Sequence, residues 1–449
     1  MKRLLLFVFL ASFALCGFNS FAGTPGTCQF TLGGHTSGLW DVSWSPDGAK
    51  VATVSSDKTS IVWSSVTGAK LLTLKGHTGG LWNVNWSPDG SKVATASEDN
   101  TSIIWNAVTG EKLYTLSGHI SQVYDVSWSP DGSKVATAGH DISIIIWSVI
   151  TGEKHFTLSG HTDEVKHVSW SPDGSKVATA SSDRTAIIWS SATGAKLFTL
   201  NGHTGGLWYI NWSPDGSNVA TASSDGTSII WSAVTGEKLF TLIGHSHEVE
   251  VVSWSPDGSK VATASWDKTS IIWSTITGAK LFTLRGHTNW VNQVFWSPDG
   301  SKVATASHDK TSIIWSTTTG EKLFTLSGHT GSINRVSWSP DGSKVATASN
   351  DISAKIWYVT ETNEVKDNLQ RNESFPLFQN HVQSVLHLNL ESESSLPTQL
   401  HIINILGQVI NSSEIPAGTK EWQVNTENLS AGLYFLKVNN TVHKFVKSL

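Results

Sequence analysis

The sequence predicts an all-β protein in which an eight-bladed β-propeller is followed by a small C-terminal β-sandwich. Three observations carry this prediction. A Gly-His pair recurs eight times, and 42 residues separate each copy from the next. Every copy contains the turn sequence Ser-Pro-Asp-Gly and short β-rich runs, and none contains a long apolar pattern of helical period. Units of this length with four short strands are typical of propeller blades rather than of a helical solenoid.

The composition excludes one broad class of function. The chain has 449 residues, with 31 basic and 36 acidic side chains and a net charge of −5. A generic nucleic-acid binder needs a basic face that displaces counterions from phosphates, so we expect no nucleic-acid partner. The only cysteines are Cys16 and Cys28, so disulfide bonds cannot account for the stability of the fold.

Residues 1–22 have the pattern of a secretory signal peptide. Lys2 and Arg3 form a basic start, residues 4–18 are mostly apolar, and Ala22 ends a small-residue cleavage site. The apolar run is shorter than the roughly 20 residues that span a bilayer, and no later run is longer. We therefore expect an exported protein that has no membrane-spanning helix.

The turns within each unit follow from local backbone chemistry. In the first copy, Pro46 fixes φ at the second position of the turn, and Gly48 tolerates the position that closes the hairpin. β-rich runs such as residues 92–97 and 101–105 flank further turns. We therefore predict antiparallel four-stranded sheets throughout residues 23–360.

Each copy also contains an Asp and a Trp at constant distances from the Gly-His pair. With these motifs the units resemble the WD40-repeat family over residues 28–360. The resemblance implies a buried chain of hydrogen bonds in each blade. In the first blade Asp57 holds the His35 imidazole. The imidazole bonds the Ser55 hydroxyl, and this hydroxyl in turn bonds the Trp63 indole. The predicted structural residues are His35, Asp57, Trp63, His77, Asp99, Trp105, His119, Asp141, Trp147, His161, Asp183, Trp189, His203, Asp225, Trp231, His245, Asp267, Trp273, His287, Asp309, Trp315, His329, Asp351 and Trp357.

Two further expectations depend on this chain. In blade 3, Gly139 replaces the hydroxyl residue, so we expect a broken chain and a looser blade. The His-Asp-Ser combination also contains the residue types of a catalytic triad. Because it occurs eight times and includes a Trp, we interpret it as scaffolding and expect no enzyme activity.

The N-terminal strand predicts the number of blades. Residues 28–32 match the outer-strand phrase at residues 197–200, and no such phrase follows Trp357. Eight complete blades therefore require residues 28–32 to form the outer strand of the last blade, which would remove exposed sheet edges. Seven blades with one spare copy is the disfavoured alternative, because no copy is degenerate.

The copies differ from one another at two places. One follows the Gly-His pair, and the other is the residue before the turn Asp. Strand geometry places both at the same mouth of the channel, the top face that WD-repeat proteins generally use to bind partners. Leu39 and Val42 are three residues apart, which predicts a β-bulge that turns Trp40 outward.

Five of the six non-framework tryptophans fall on this variable ring. With Tyr124 and Tyr209 they predict an aromatic crown interrupted by charged residues, and such side chains often anchor interfaces. Any single ring could instead pack on a neighbouring loop, but five on one rim favour binding. The predicted binding residues are Trp40, Trp82, Tyr124, Glu164, Lys166, Trp208, Tyr209, Glu248, Glu250, Trp266, Trp290, Asn292, His308 and Arg335.

Metal and cofactor sites are not expected. His140, His167, His247 and His308 also fall on the variable ring, but they come from four different units and lack the short spacing of zinc ligands. The loop glycines have no strand-to-helix context for binding phosphate. No carboxylate pair or activated nucleophile is distinct from the repeat.

The repeats end near Tyr358, and residues 361–375 have the polar composition of a linker. Residues 376–449 contain alternating strand-like runs, which predict a β-sandwich. Residues 405–409, 429–438 and 444–447 resemble the C-terminal sorting domain of the type IX secretion system of Bacteroidetes-type bacteria. The resemblance implies contact with secretion machinery and export across both membranes. An accessory β-sandwich that stays attached is the alternative.

The sequence thus predicts a monomeric, non-catalytic scaffold, secreted or held at the outer-membrane cell surface, that binds a protein or peptide at its variable rim. A lectin-like propeller that stacks sugars on Trp and Tyr is one alternative. A propeller hydrolase is a second, and a recently multiplied array that has no fixed ligand is a third.

Overall fold

The computed structural model describes residues 23–360, 381–382, 385–389, 398–404, 409–419, 421–430, 432–438 and 441–447. The predicted signal peptide (1–22) and linker (361–375) lie outside these ranges. The regular elements of the described residues are all β-strands.

In chain order the propeller strands are β1 (Cys28–Gly33), β2 (Leu39–Trp44), β3 (Lys50–Ser55), β4 (Thr59–Ser64), β5 (Lys70–Lys75), β6 (Leu81–Trp86), β7 (Lys92–Ser97), β8 (Thr101–Asn106), β9 (Lys112–Ser117), β10 (Val123–Trp128), β11 (Lys134–Gly139), β12 (Ile144–Ser148), β13 (Lys154–Leu158), β14 (Val165–Trp170), β15 (Lys176–Ser181), β16 (Thr185–Ser190), β17 (Lys196–Asn201), β18 (Leu207–Trp212), β19 (Asn218–Ser223), β20 (Thr227–Ser232), β21 (Lys238–Ile243), β22 (Val249–Trp254), β23 (Lys260–Ser265), β24 (Thr269–Ser274), β25 (Lys280–Arg285), β26 (Val291–Trp296), β27 (Lys302–Ser307), β28 (Thr311–Ser316), β29 (Lys322–Ser327), β30 (Ile333–Trp338), β31 (Lys344–Ser349) and β32 (Ser353–Tyr358).

These strands form eight antiparallel sheets of four strands each, as the repeat predicts. Blades 1–7 are consecutive meanders that begin with β2, β6, β10, β14, β18, β22 and β26. Blade 8 consists of β30, β31 and β32 with β1 as its outer strand. The register pairs Leu32 with Ala354 and Gly33 with Ser353. The predicted closure by the N-terminal strand is confirmed, and no copy is left over.

A ring of indole hydrogen bonds joins neighbouring blades. The tryptophan that ends each first strand donates its N–H to a backbone carbonyl in the first strand of the preceding blade. Trp86 bonds the Ser43 carbonyl at 3.0 Å, and Trp44 closes the ring by bonding Ser337 at 3.0 Å. The same bond occurs at all eight interfaces. Sequence reasoning recognised these tryptophans as framework but did not predict their partners.

A buried hydroxyl connects the Asp, His and Trp of each blade, but it is not the predicted one. His35 Nδ1 lies 2.8 Å from Asp57, and His35 Nε2 lies 2.9 Å from the hydroxyl of Thr53 rather than of Ser55. The Trp63 indole N–H donates to the same Thr53 oxygen at 2.9 Å. Thr53 and Ser55 lie two residues apart on the same side of β3, so the strand pattern alone does not separate them.

Ser55 has a different function, because its hydroxyl orders the loops at one end of the blade. It donates to the Ser37 carbonyl at 2.9 Å and accepts the Asp57 N–H at 3.0 Å. Asp57 in turn accepts the N–H of Thr36 at 2.9 Å, a contact that recurs in every blade. We call this end of the propeller the upper mouth, and the opposite end, where the Ser-Pro-Asp-Gly turns lie, the lower mouth.

Blade 3 contradicts the prediction of a broken chain. His119 bonds Asp141 at 2.9 Å and the Thr137 hydroxyl at 2.8 Å, and Trp147 donates to Thr137 at 2.8 Å. Gly139 occupies the Ser55 position, so its substitution leaves the chain intact. Blade 3 lacks the two loop hydrogen bonds that the serine hydroxyl makes in the other blades, and its strands β12 and β13 have five residues each where their counterparts have six.

The C-terminal unit is described by itself. Its strands are β33 (His381–Val382), β34 (Val385–Asn389), β35 (Thr398–Asn404), β36 (Val409–Ile415), β37 (Glu421–Asn425), β38 (Gly432–Val438) and β39 (Thr441–Lys447). Sheet order is β33-β39-β38-β35-β36, with a separate β34-β37 pair. Leu400, Leu436 and Val424 belong to one core shared by the two sheets, as expected of a small β-sandwich. The sequence did not predict β33 and β36.

The turn between the second and third strands carries backbone strain. Its third residue has a positive φ in all eight blades, although only blade 5 has glycine there, at Gly226. The left-handed region costs a residue with a Cβ about 1–2 kcal/mol. The other seven residues are Lys58, Asn100, Ile142, Arg184, Lys268, Lys310 and Ile352.

The buried threonine gives the first prediction. Thr179→Val in blade 4 keeps the side-chain shape but leaves His161 Nε2 and the Trp189 N–H without a partner. The free energy of unfolding should fall by about 2–4 kcal/mol. Ser181→Ala, the matched control, should cost only about 1 kcal/mol. Urea unfolding measures both, and a larger loss for Ser181→Ala would contradict the assignment of the hydroxyl.

The strained turn gives the second prediction. Lys310→Gly removes the left-handed penalty, and because Lys310 is an exposed polar residue, little buried apolar area is lost. Stability should rise by about 0.5–1 kcal/mol. Ile150 is 78% exposed and is not among the positive-φ residues, so Ile150→Gly should lower stability instead. Thermal unfolding of the two variants would show shifts of opposite sign, and equal shifts would refute the strain.

Candidate functional site

A β-bulge in the first strand of each blade creates two rings of side chains. In blade 1 the register passes from Leu39–Ser55 to Asp41–Val54, so Trp40 has no cross-strand partner, as predicted. The same shift occurs in the other seven blades. The rim ring consists of Trp40, Trp82, Tyr124, Lys166, Trp208, Glu250, Asn292 and Asn334. The channel ring consists of Asp41, Asn83, Asp125, His167, Tyr209, Val251, Gln293 and Arg335.

The upper mouth contains a cavity of about 420 Å³. Side chains from both rings and from the variable turns line it. Glu164 and Glu248 do not line it but contact residues that do. The predicted binding residues that the structure brings together there are Trp40, Trp82, Tyr124, Lys166, Trp208, Tyr209, Glu250, Trp266, Trp290, Asn292, His308 and Arg335.

The aromatic rings of the rim contact one another in two groups. Trp40 and Trp82 lie 4.7 Å apart between ring centroids, and Tyr124 lies 6.1 Å from Trp82. On the other side, Trp266 stacks on Trp290 at 4.5 Å with an interplanar angle of 10°, and Trp208 lies 6.3 Å from Trp266. We call these six residues the aromatic crown.

Tyr209 belongs one level deeper than expected. It occupies the channel ring, and its ring centroid lies 3.7 Å from that of His167. Burial raises its pKa, so the hydroxyl stays protonated at neutral pH. Tyr209 therefore forms part of the wall between the crown and the channel.

The indole N–H groups of the crown have different partners. Trp40 donates to the Ser56 hydroxyl at 2.7 Å. Trp208 donates to Glu248 at 3.0 Å, and Trp266 donates to Glu250 at 2.8 Å. The buried N–H of Trp82 has no hydrogen-bond partner within the described chain. These bonds fix the orientation of the rings.

Charged groups alternate with the rings. The Lys166 ammonium group lies 4.6 Å from the Tyr124 ring centroid and 5.6 Å from that of Trp208, and it also bonds Glu164. Burial and the charge of Glu164 raise the pKa of Tyr124 to about 12. Burial also raises the pKa of Glu250 to about 6, although the hydrogen bond from Trp266 and the charge of Arg335 oppose this shift.

A second cavity of about 320 Å³ lies along the channel ring. The Asp41 carboxylate accepts the N–H of Val84 in the next blade at 3.1 Å and faces the Arg335 guanidinium at 3.8 Å. Asp125 and Gln293 accept the N–H of Val168 and of Val336 in the same way. The polar channel residues thus connect neighbouring blades as well as lining the channel.

Sequence reasoning did not separate the channel ring from the rim. Among the channel residues it named only Tyr209 and Arg335 as binding candidates. The signal was present, because the channel position holds seven different residue types in eight copies. The bulge places consecutive residues at different depths, which the repeat comparison alone does not reveal.

Three of the histidines predicted on the variable ring have separate partners. His140 pairs with Glu164 at 2.9 Å, His167 lies 3.6 Å from Asp125, and His308 packs 5.2 Å from Trp290. Within the described residues, no group of three or more His, Cys, Asp or Glu side chains is arranged to hold a metal ion. The described part of the chain also contains no helix long and apolar enough to cross a membrane.

Comparison with known families identifies both parts of the chain. A model of the WD domain, G-beta repeat, matches eight segments, and a model of the secretion system C-terminal sorting domain matches residues 377–449. No curated protein matches the chain. The eight repeat matches cover residues 26–64, 68–106, 110–148, 152–190, 194–232, 236–274, 278–316 and 320–358.

The buried channel carboxylate gives a prediction about pH. Burial raises the pKa of Asp41 to about 6 from 3.8, despite the nearby Arg335 guanidinium and the N–H groups of Val84 and Val42. The folded protein therefore binds this proton more tightly than the unfolded chain, so stability falls as pH rises from about 4 to about 6.

Asp41→Asn removes the charge and keeps an oxygen acceptor. At pH 7.5 it should raise the free energy of unfolding by about 1–2 kcal/mol, and the gain should vanish below pH 4, where Asp41 is protonated in both states. Urea unfolding at the two pH values measures this difference. A gain that is independent of pH would show that the charge is not its cause.

Proposed function

Because the chain belongs to the WD40-repeat family and ends in a secretion system sorting domain, we propose that it is an exported, non-catalytic scaffold that binds a protein or peptide at the upper mouth. The sorting domain marks the chain for export by the type IX pathway. With the predicted signal peptide, it favours release from the cell or attachment to the outer-membrane surface of a Bacteroidetes-type bacterium.

The aromatic crown is the observation that carries the proposal. Eight nearly identical blades repeat the Ser-Pro-Asp-Gly turns unchanged at the lower mouth, whereas the rim ring holds five residue types in eight copies. Clustered Trp and Tyr side chains are the most frequent anchors of protein interfaces. A cavity of about 420 Å³ has the size that accepts a few side chains of a partner.

The contacts of the framework histidines support a non-catalytic function. Each imidazole bonds a carboxylate through Nδ1 and a threonine hydroxyl through Nε2, so neither nitrogen faces a substrate. The threonine oxygen also accepts an indole N–H. A hydroxyl held in this way is neither exposed nor activated as a nucleophile.

Carbohydrate is the second candidate ligand. Trp266 and Trp290 stack with their rings nearly parallel and line the cavity together with the amides of Asn292 and Asn334. Flat aromatic faces beside amide groups suit a sugar ring and its hydroxyls. Binding to a glycan array, with no binding to peptides, would favour this ligand class over a protein.

The crown gives a direct test of the scaffold. The triple variant Trp40→Ala, Trp82→Ala and Trp208→Ala removes rings from both aromatic groups. Retention of a partner from proteins that surround the secreting bacterium, measured by quantitative mass spectrometry, should fall at least about tenfold, because interface tryptophans commonly contribute 2 kcal/mol or more each.

A lower-mouth variant provides the matched control. Val66, Val108 and Ile150 are 70%, 72% and 78% exposed at turns on the opposite side, and changing all three to Ser should leave retention unchanged. Circular dichroism and thermal unfolding establish that both triple variants are folded. If the crown variant retains its partners as well as the unchanged protein does, the upper mouth is not the binding site.

A further inference from the structure

The cavities of the upper mouth and channel carry more negative than positive charge. Three carboxylates line them, those of Asp41, Asp125 and Glu250, against two cations, Arg335 and Lys166. The closest approach of Arg335 to any of the three is 3.8 Å, to Asp41. Carboxylates that are buried with so little compensation favour the arrival of another positive charge.

One half of the aromatic crown already contains a cation. The Lys166 ammonium group lies over Tyr124 and Trp208 and is paired with Glu164. Ammonium groups within about 6 Å of an aromatic ring centroid are attracted by the electron-rich face of the ring. In this half, the aromatic rings and the Glu164 carboxylate therefore already bind a cation that belongs to the protein itself, the Lys166 ammonium group.

The other half of the aromatic crown also has an aromatic wall and a carboxylate next to it. Trp266 and Trp290 line the cavity, and the Trp266 N–H holds Glu250 in place at 2.8 Å. Glu250 occupies the position in blade 6 that Lys166 occupies in blade 4, so the charge is reversed. Within residues 23–360, no Lys or Arg lies over Trp266 or Trp290. Trp290 is also 39% exposed, which leaves it open to a partner.

We propose that this half of the crown, formed by Trp266 and Trp290 with Glu250 beside them, binds a lysine or arginine side chain of the partner protein. The inference rests on the proposed function and narrows it to partners that present a basic residue. Glu250 supplies the counter-charge, and the outer faces and edges of the two stacked rings contact the apolar stem and the cationic head. Burial raises the pKa of Glu250 more than the hydrogen bond from Trp266 and the charge of Arg335 lower it.

The test uses two small probes that differ in charge and have nearly the same shape. N-acetyl-arginine amide and N-acetyl-citrulline amide are titrated into the full chain at pH 7.5, with tryptophan fluorescence and calorimetry as readouts. The arginine probe should bind at least about tenfold more tightly than the citrulline probe. Citrulline carries no charge and therefore makes neither the charge-assisted hydrogen bond to Glu250 nor the cation–π contact. Equal affinities of the two probes would overturn the proposal.

Two variants locate the binding. Glu250→Gln keeps an acceptor for the Trp266 N–H. It should lower the affinity for the arginine probe about tenfold, to the affinity of the citrulline probe. Glu98→Gln is the matched control, because Glu98 belongs to the variable turn of blade 2 and does not line the cavity. It should change the affinity less than twofold. Unchanged affinity in a folded Glu250→Gln variant would also overturn the proposal.

The outcomes separate this inference from the proposed function. If the crown triple variant loses its partner while the two probes bind equally, the scaffold stands and the preference for a basic residue is wrong. If the crown triple variant keeps its partner, the scaffold itself is wrong.

Discussion

The buried threonine hydroxyl in the second strand of each blade is the interaction on which the rest of the structure depends. Thr53 accepts the indole N–H of Trp63 and bonds the imidazole of His35, and this places the imidazole against Asp57. Burial lowers the pKa of His35 despite the adjacent carboxylate, so the imidazole is neutral at pH 7. Asp57 then holds the loop that leads to the bulge. The upper mouth is therefore supported by a chain that begins deep inside the blade.

Much of this architecture could be predicted from the sequence. The 42-residue period, the turn chemistry and the phrase at residues 28–32 were sufficient for the blade number and the closure, and the spacing of Leu39 and Val42 was sufficient for the bulge beside Trp40. The hydroxyl was misplaced because Thr53 and Ser55 are both small, polar and on one side of β3. The distinction depends on depth: Thr53 lies opposite the indole, whereas Ser55 lies at the strand end beside the loops.

The sequence predicted which residues lie at the candidate site, but it did not predict how far into the channel each of them lies. Comparison of the copies found the variable positions, and the structure brings twelve of the fourteen predicted residues to one cavity. The comparison could not show that the bulge separates neighbours such as Trp208 and Tyr209 into two levels. It also could not show that Lys166 lies over the crown, because that contact joins side chains of blades 3, 4 and 5. Contacts between blades depend on the closed ring, which has no local signature.

The pairing of β1 with β32 has a mechanical consequence. Because the strands are antiparallel, Cys28 lies opposite Trp357, and the chain enters and leaves the propeller at the same end of blade 8. Tension applied through the two ends would load the hydrogen bonds of this pair one after another, as in unzipping, rather than all together in shear. The propeller therefore resists tension least at the β1–β32 pair, where β1 is the first strand to detach.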